Sequence, residues 1–156
     1  MKRLREKIKS SKNLVKVLPR RKKVVFTNGC FDVIHPGHVL YLERAKALGD
    51  ILIVALNDDS SVKRLKGPSR PINPLADRLK VVAALASVDY VTWFSEDTPL
   101  KTILQLTPHI LVKGGDWKTS EIVGSQEVKS WKGKVKRIPF VSGKSSTSII
   151  RRMNHL

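Results

Sequence analysis

At 156 residues the chain makes one domain with a real core, and with 28% charged and 41% apolar residues it is globular rather than disordered. No apolar run approaches the ~20 residues of a membrane span, the charged N-terminus has no signal-peptide apolar region, and the single cysteine, Cys30, excludes an internal disulfide and fits a reducing cytoplasm. The net charge of +17 raises nucleic acid as a partner, but residues 1–23 hold eleven Lys or Arg against one acid, Glu6, so most of the excess lies in a basic arm over residues 1–22. The arm has helical spacing at Leu4, Ile8, Leu14, Val15 and Leu18 and ends at Pro19. A solvated extension that packs one helix on the domain is its simplest reading. A contact to nucleic acid or another acidic surface is the alternative.

The domain proper begins with Lys23-Val-Val-Phe26, a short buried strand, and Ile51–Leu56 is another. Between them Val39, Leu40, Leu42, Ala45 and Leu48 follow helical spacing, so the unit is strand, loop, helix, strand, which builds a parallel sheet. The loop carries Gly29 and then His35-Pro-Gly-His38. Proline suits the first turn of a helix, so His35 sits at the helix mouth and His38 just inside it. Unpaired N–H groups and the positive end of the helix dipole point to the same place, and two imidazoles there suit a phosphate. A zinc pair needs further ligands than the neighbouring Cys30, and a solvated cap is the plain alternative.

Asn57-Asp-Asp59 turns the chain. Residues 62–71 then read as a basic loop, punctuated by Gly67, Pro68 and Pro71, in which Lys63, Arg64, Lys66 and Arg70 form a mobile cationic flap or a solvated loop. A helix follows from Asn73 or Pro74, with Arg78 near its start, pointing towards the phosphates or pairing with Asp77 on the surface. Asp89–Phe94 is a third strand, Thr98–Leu106 a helix with a cap and an early proline, and His109–Lys113 a fourth strand. That strand opens into Gly114-Gly-Asp-Trp117, where glycines let backbone approach a ligand and Asp116 can accept from a ribose or base. Glu121–Trp131 reads as a helix and Lys134–Pro139 as an edge-like fifth strand. Clustered hydroxyls at Ser142-Gly-Lys-Ser-Ser-Thr-Ser148 then mark one more helix N-terminus with side-chain donors for phosphate.

Three loops thus fall at the carboxyl ends of strands, carrying Gly-Cys-Phe-Asp-x-x-His-Pro-Gly-His, Lys-Gly-Gly-Asp-Trp and Ser-Ser-Thr-Ser-Ile-Ile. Over residues 24 to about 153 the chain resembles the cytidylyltransferase-like branch of the nucleotidyltransferases. Within that branch Leu65–Arg78 and Leu111–Trp117 are similar to the adenylyltransferase domain of the bifunctional ADP-heptose synthases. The resemblance implies a Rossmann-like, doubly wound, five-stranded parallel α/β sheet over residues 23–156, in a domain without the sugar kinase that often precedes it.

It also implies the reaction of D-glycero-β-D-manno-heptose 1-phosphate with ATP to ADP-heptose and pyrophosphate, in the making of the lipopolysaccharide inner core. Other phosphate esters, such as glycerol phosphate or FMN with CTP or ATP, are the alternative, and a basic nucleic-acid binder is the distant one. By the resemblance His35, His38 and Lys66 are catalytic. Gly29, Cys30, Phe31, Gly37, Gly115, Asp116, Ser145, Ser146 and Thr147 bind the nucleotide. Asp32, Lys63, Arg78 and Lys113 bind substrate or phosphate. Mg²⁺ is expected mainly through the ATP phosphates, with no metal ligands of the chain's own. A cytoplasmic homodimer, touching neither membrane nor nucleic acid, completes the expectation.

Overall fold

The computed structural model describes residues 3–115, 118–139 and 146–153. Strands β1 (Val24–Gly29), β2 (Ile51–Asn57), β3 (Tyr90–Phe94), β4 (Ile110–Gly114) and β5 (Lys134–Ile138) form one parallel sheet in the order β3-β2-β1-β4-β5. The helices are α1 (Leu4–Lys7), α2 (Ser11–Val17), α3 (Pro36–Lys46), α4 (Asp59–Lys66), α5 (Leu75–Ala84), α6 (Leu100–Leu106), α7 (Ser125–Ser130) and α8 (Ser146–Met153). Strand order reverses between β1 and β4, and an open α/β sheet has its ligand crevice at such a switch point.

The run Ile51–Leu56 shows why the sheet has two faces to cover. Successive strand side chains point oppositely. Leu52, Val54 and Leu56 pack with Leu42 and Ala45 of α3 and Leu79, Val82 and Ala83 of α5. Ile51, Ile53 and Ala55 pack with Leu14 of α2, Ile103 and Leu106 of α6 and Val128 of α7. Apolar side chains on both faces, with no polar alternation, are the mark of a strand buried between two helix layers.

Local structure departs from the sequence reading at four places. The N-terminal segment forms two short helices rather than one, because Ile8 bridges to Val91 beside β3 and Ser10 caps α2 by accepting from the Asn13 N–H. Leu14 is fully buried, and Lys7 Nζ donates to the Val88 carbonyl at 2.7 Å. In α3 only Leu42 and Ala45 reach the core, while Val39 and Leu40 stay exposed. The supposed loop over residues 62–71 is helical as far as Lys66, since the Asp58 carboxylate caps α4 at the Ser61 N–H and only Gly67 ends it. The helix expected over 121–131 is interrupted. A 3₁₀ turn, Thr119–Glu121, is followed by Gly124 at φ 85°, and a Cβ there would lie 2.7 Å from Ile103.

Candidate active site

The loop after β1 is shaped by strain and close packing. Phe31 takes φ 46°, a left-handed conformation uncommon for a bulky residue. Its ring lies against Gly29, where a Cβ would meet it at 2.9 Å. The same ring tilts towards His38, with centroids 5.2 Å apart. His35 is the N-cap residue of α3 and Pro36 its first helical residue, so the two imidazoles stack with centroids 3.8 Å apart. Burial, the neighbouring His35 and then Lys66 push the His38 imidazole down to about 4. It is therefore neutral at physiological pH, and its Nδ1 is buried without a hydrogen-bond partner. The α3 N-terminus adds positive potential at the same point.

Two arginines hold this loop from the other side. Arg78 is 1% exposed and donates to the carbonyls of Cys30 (2.7 Å), Asn57 (2.9 Å) and Asn73 (3.0 Å), and to Asp59 Oδ1 (2.7 Å). It fastens the ends of β1 and β2 to α5 with four of its five N–H donors, rather than pairing with Asp77 on the surface. Asp32 is likewise committed. Its carboxylate accepts from the Ile72 and Asn73 N–H groups at 2.9 Å and from Arg70 Nε at 2.6 Å. Burial alone would raise its pKa, but these donors hold it below the usual carboxylate value. Asp32 thus anchors the segment after α4 rather than offering oxygens to a ligand. Arg64 is tied to Asp97 at 2.7 Å and to the Ser95 carbonyl at 2.6 Å, so the flap is a helix pinned at its side. Lys66, from the last turn of α4, is exposed and lines the cavity; Lys63 does not line it.

The cavity, of about 740 Å³, opens over the carboxyl ends of the strands, a size typical of small-molecule sites. Gly29 to Asp32, His35, Gly37 and His38 line one wall. Lys113 and Gly114 of β4 line another, with Ser146 and Thr147 at the start of α8. The model of the family described as Cytidylyltransferase-like matches residues 26–153, which contain all of these groups. The chain belongs to that family. It is 58% identical over 132 residues to the bifunctional protein HldE of Marinomonas sp. (strain MWYL1), covering 85% of this chain and 28% of that protein. To HldE of Haemophilus ducreyi it is 54% identical over 151 residues, covering 97% of this chain and 30% of the other. The chain therefore spans under a third of the length of these relatives. Among solved structures, the lipopolysaccharide core biosynthesis protein from Thermoplasma volcanium superposes with a TM-score of 0.64 at 29% identity, covering 79% of this chain and 99% of that one.

In this cytidylyltransferase-like chain the remaining site residues divide clearly. Burial lowers the pKa of Lys113, partly opposed by Cys30. Gly115 takes φ 96° just beyond β4, as a left-handed turn requires, but lies outside the cavity lining. Ser146 Oγ donates to the Val33 carbonyl at 2.8 Å, so its hydroxyl joins α8 to the β1 loop. Thr147 is exposed to the cavity. Asp116 and Ser145 lie outside the described residues. Several lining residues lie outside the site drawn from sequence, Tyr41, Asn57 and Arg70 among them. Tyr41 follows His38 by one helical turn, a legible signal, and its hydroxyl meets Thr27 Oγ1 at 2.6 Å. Burial pushes that hydroxyl up to about 12, eased by the Thr27 bond, so it stays protonated. Asn57 ends β2 without a motif of its own, and Arg70, one of the cations of the segment read as a flap, follows α4. Among the described residues no three His, Cys, Asp or Glu side chains gather to hold a metal ion, and both Asp32 oxygens already accept hydrogen bonds.

Proposed function

We propose that this chain is an adenylyltransferase that joins D-glycero-β-D-manno-heptose 1-phosphate to the AMP unit of ATP, giving ADP-heptose and pyrophosphate for the lipopolysaccharide inner core. The observation that carries the reading is the stacked His35–His38 pair at the mouth of α3, sharing one cavity with Lys66, Lys113 and the start of α8. The high identity to HldE proteins and the likeness to a lipopolysaccharide core biosynthesis protein support the choice of substrate.

The chemistry asks little of the protein beyond placement and charge. A phosphate monoester is largely ionised near neutral pH, so its oxygen attacks without a general base. It displaces pyrophosphate in line at the α-phosphorus: the new P–O bond forms as the bond to the β-phosphate breaks. His38, neutral before substrate binds, donates a ring N–H to the α-phosphate oxygens as charge gathers on them, with His35 beside it on the phosphate chain. Lys66 and Lys113, both in the cavity lining, add positive charge. Backbone N–H groups at the starts of α3 and α8 cradle the triphosphate. Asp116 and Ser145 complete the nucleotide site in this reading, and magnesium enters as part of the MgATP substrate. We extend the reading to a cytoplasmic homodimer, which light scattering and cell fractionation test.

Purified protein incubated with MgATP and heptose 1-phosphate should release one pyrophosphate per ADP-heptose formed. CTP in place of ATP, and glycerol phosphate or FMN in place of the sugar, should react poorly. A folded protein that releases pyrophosphate only with another ester has a different acceptor. One that binds no nucleoside triphosphate with magnesium is not this enzyme.

A further inference from the structure

One guanidinium in the cavity wall has an arm without a partner. Arg70 is 9% exposed, and its Nε donates to Asp32 at 2.6 Å. Its Nη2 is buried and has no hydrogen-bond partner. The residue lines the same cavity as His35, His38 and Lys66. Its neighbours are fixed: the Ile72 and Asn73 N–H groups grip the carboxylate that Arg70 grips. A guanidinium cannot lose its proton to relieve burial, and a buried N–H left without an acceptor is costly. Such a group calls for an acceptor that the folded chain does not supply. The planar fork, with one arm held by Asp32, presents its other arm to an anionic oxygen in fixed geometry.

We infer that Arg70 recognises the phosphate group of the acceptor, through a hydrogen bond from Nη2 to a non-bridging oxygen of the sugar phosphate. This rests on the adenylyl-transfer reading above. In-line displacement puts the acceptor phosphate and the departing pyrophosphate on opposite sides of the α-phosphorus. The start of α8 takes the triphosphate tail. The acceptor phosphate is assigned to the segment between α4 and α5, where Arg70 lines the cavity. Lys66 is exposed at the end of α4, whereas Arg70 is fixed by Asp32. Arg70 thereby sets the preference for a phosphorylated sugar over the free sugar.

Arg70→Lys tests this, because an ammonium can pair with Asp32 but cannot hold Asp32 and a ligand oxygen in the forked geometry. By calorimetry the variant should bind MgATP within about twofold of the wild type. Its KM for heptose 1-phosphate should rise about tenfold or more, with a smaller change in kcat. Its discrimination between heptose 1-phosphate and unphosphorylated heptose, measured by competition in the presence of a non-hydrolysable ATP analogue, should shrink by a similar factor. An unchanged KM, or an ATP affinity that falls in step with the KM, overturns the inference. A second measurement needs no variant. In wild-type protein loaded with the ATP analogue, the Arg70 side-chain N–H resonances should shift on adding heptose 1-phosphate and stay in place on adding heptose. Shifts with both sugars, or with neither, overturn it as well. Failure of the wild type to bind ATP or release pyrophosphate counts against the adenylyl-transfer reading itself, and is distinct from either result.

Discussion

The cations around the cavity are of two kinds, and they are dealt with differently. Arg64, Arg70 and Arg78 lie along the α4–α5 shoulder, and each has an acidic partner: Asp97, Asp32 and Asp59. His38 and Lys113 face the cavity, and neither is paired with a carboxylate among the described residues. Burial lowers the pKa of both. The physical difference is the proton. A guanidinium keeps its charge whatever surrounds it, so burying one demands a fixed acceptor; an imidazole or an ammonium can yield its proton instead. The shoulder is therefore charged and paired in advance, which suits a scaffold, with Arg70 alone of the three keeping a buried arm without a partner. His38 and Lys113 have no carboxylate partner among the described residues, which suits a site that must bind an anion.

The contrast is sharpest at Arg78. Arg78→Met should leave the carbonyls of Cys30, Asn57 and Asn73 without their donor and Asp59 without its cation. At about 1–3 kcal/mol for each unsatisfied group, eased by water that enters, the loss should be about 3–5 kcal/mol of stability, read from urea unfolding. A loss below about 1 kcal/mol, with raised KM for a phosphate ligand, would return Arg78 to the binding side of the comparison. His38→Ala should do the reverse. Turnover in the pyrophosphate assay should fall by about two to three orders of magnitude, while circular dichroism and the unfolding midpoint change little. Undiminished turnover would remove His38 from the chemistry.

Acid titration separates the two kinds without touching the scaffold. His38 is held at about 4 in the folded chain, against about 6.5 for a free imidazole. Between those values the unfolded chain binds the extra proton, so this group makes stability rise with pH from about 4 to about 6.5 and adds no slope above. Asp32 is depressed instead from the carboxylate value, so its contribution is present above about 4 and is lost as pH falls below it. Both losses run in the same direction but occupy successive windows. Urea midpoints measured from pH 4 to 7 should therefore slope in the wild type and flatten in His38→Asn, with the steeper fall below pH 4 retained. An identical slope in the two proteins would mean that His38 is not held neutral.

The sheet was largely legible because Ile51–Leu56 is apolar on both faces, and only a strand between two layers needs that. The His35/His38 pair was legible because Pro36 marks a helix start and its spacing is local. The α4 boundary was misplaced although its signal was present: Asp58 three residues before Ser61 is a cap, and Gly67 and Pro68 outweighed it. Direction of side chains was the least legible feature. Lys66 and Arg78 read alike as basic residues near a phosphate loop, yet one faces the cavity and the other is drawn inward by carbonyls that β1 and β2 bring from far along the chain. The hydroxyl of Ser146 is directed in the same way by Val33, a residue more than a hundred positions earlier. Such choices depend on which distant acceptor the fold supplies, and no local pattern encodes them.

The smallest effect tests whether the shoulder acts as a unit. Arg64 pairs with Asp97 across a gap where both side chains are about half exposed or more, at 48% and 66%. Water screens such a pair, and fixing two long side chains costs entropy, so Arg64→Ala should cost no more than about 1 kcal/mol. Its second bond, to the Ser95 carbonyl, is equally exposed and easily replaced by water. If the pair merely decorates the surface, ATP affinity will be unchanged. Lys66 lies two residues further along the same helix, however, and Arg64 is what fastens that last turn to the loop after β3. Loosening it should leave stability nearly intact while weakening ATP binding a few-fold, with the larger loss at low ionic strength, where Lys66 acts most strongly. Equal affinity for the variant and the wild type, compared by calorimetry at low and high salt, would show that the α4 end is held by its own helix alone and that the pinning of this shoulder stops at Arg70 and Arg78.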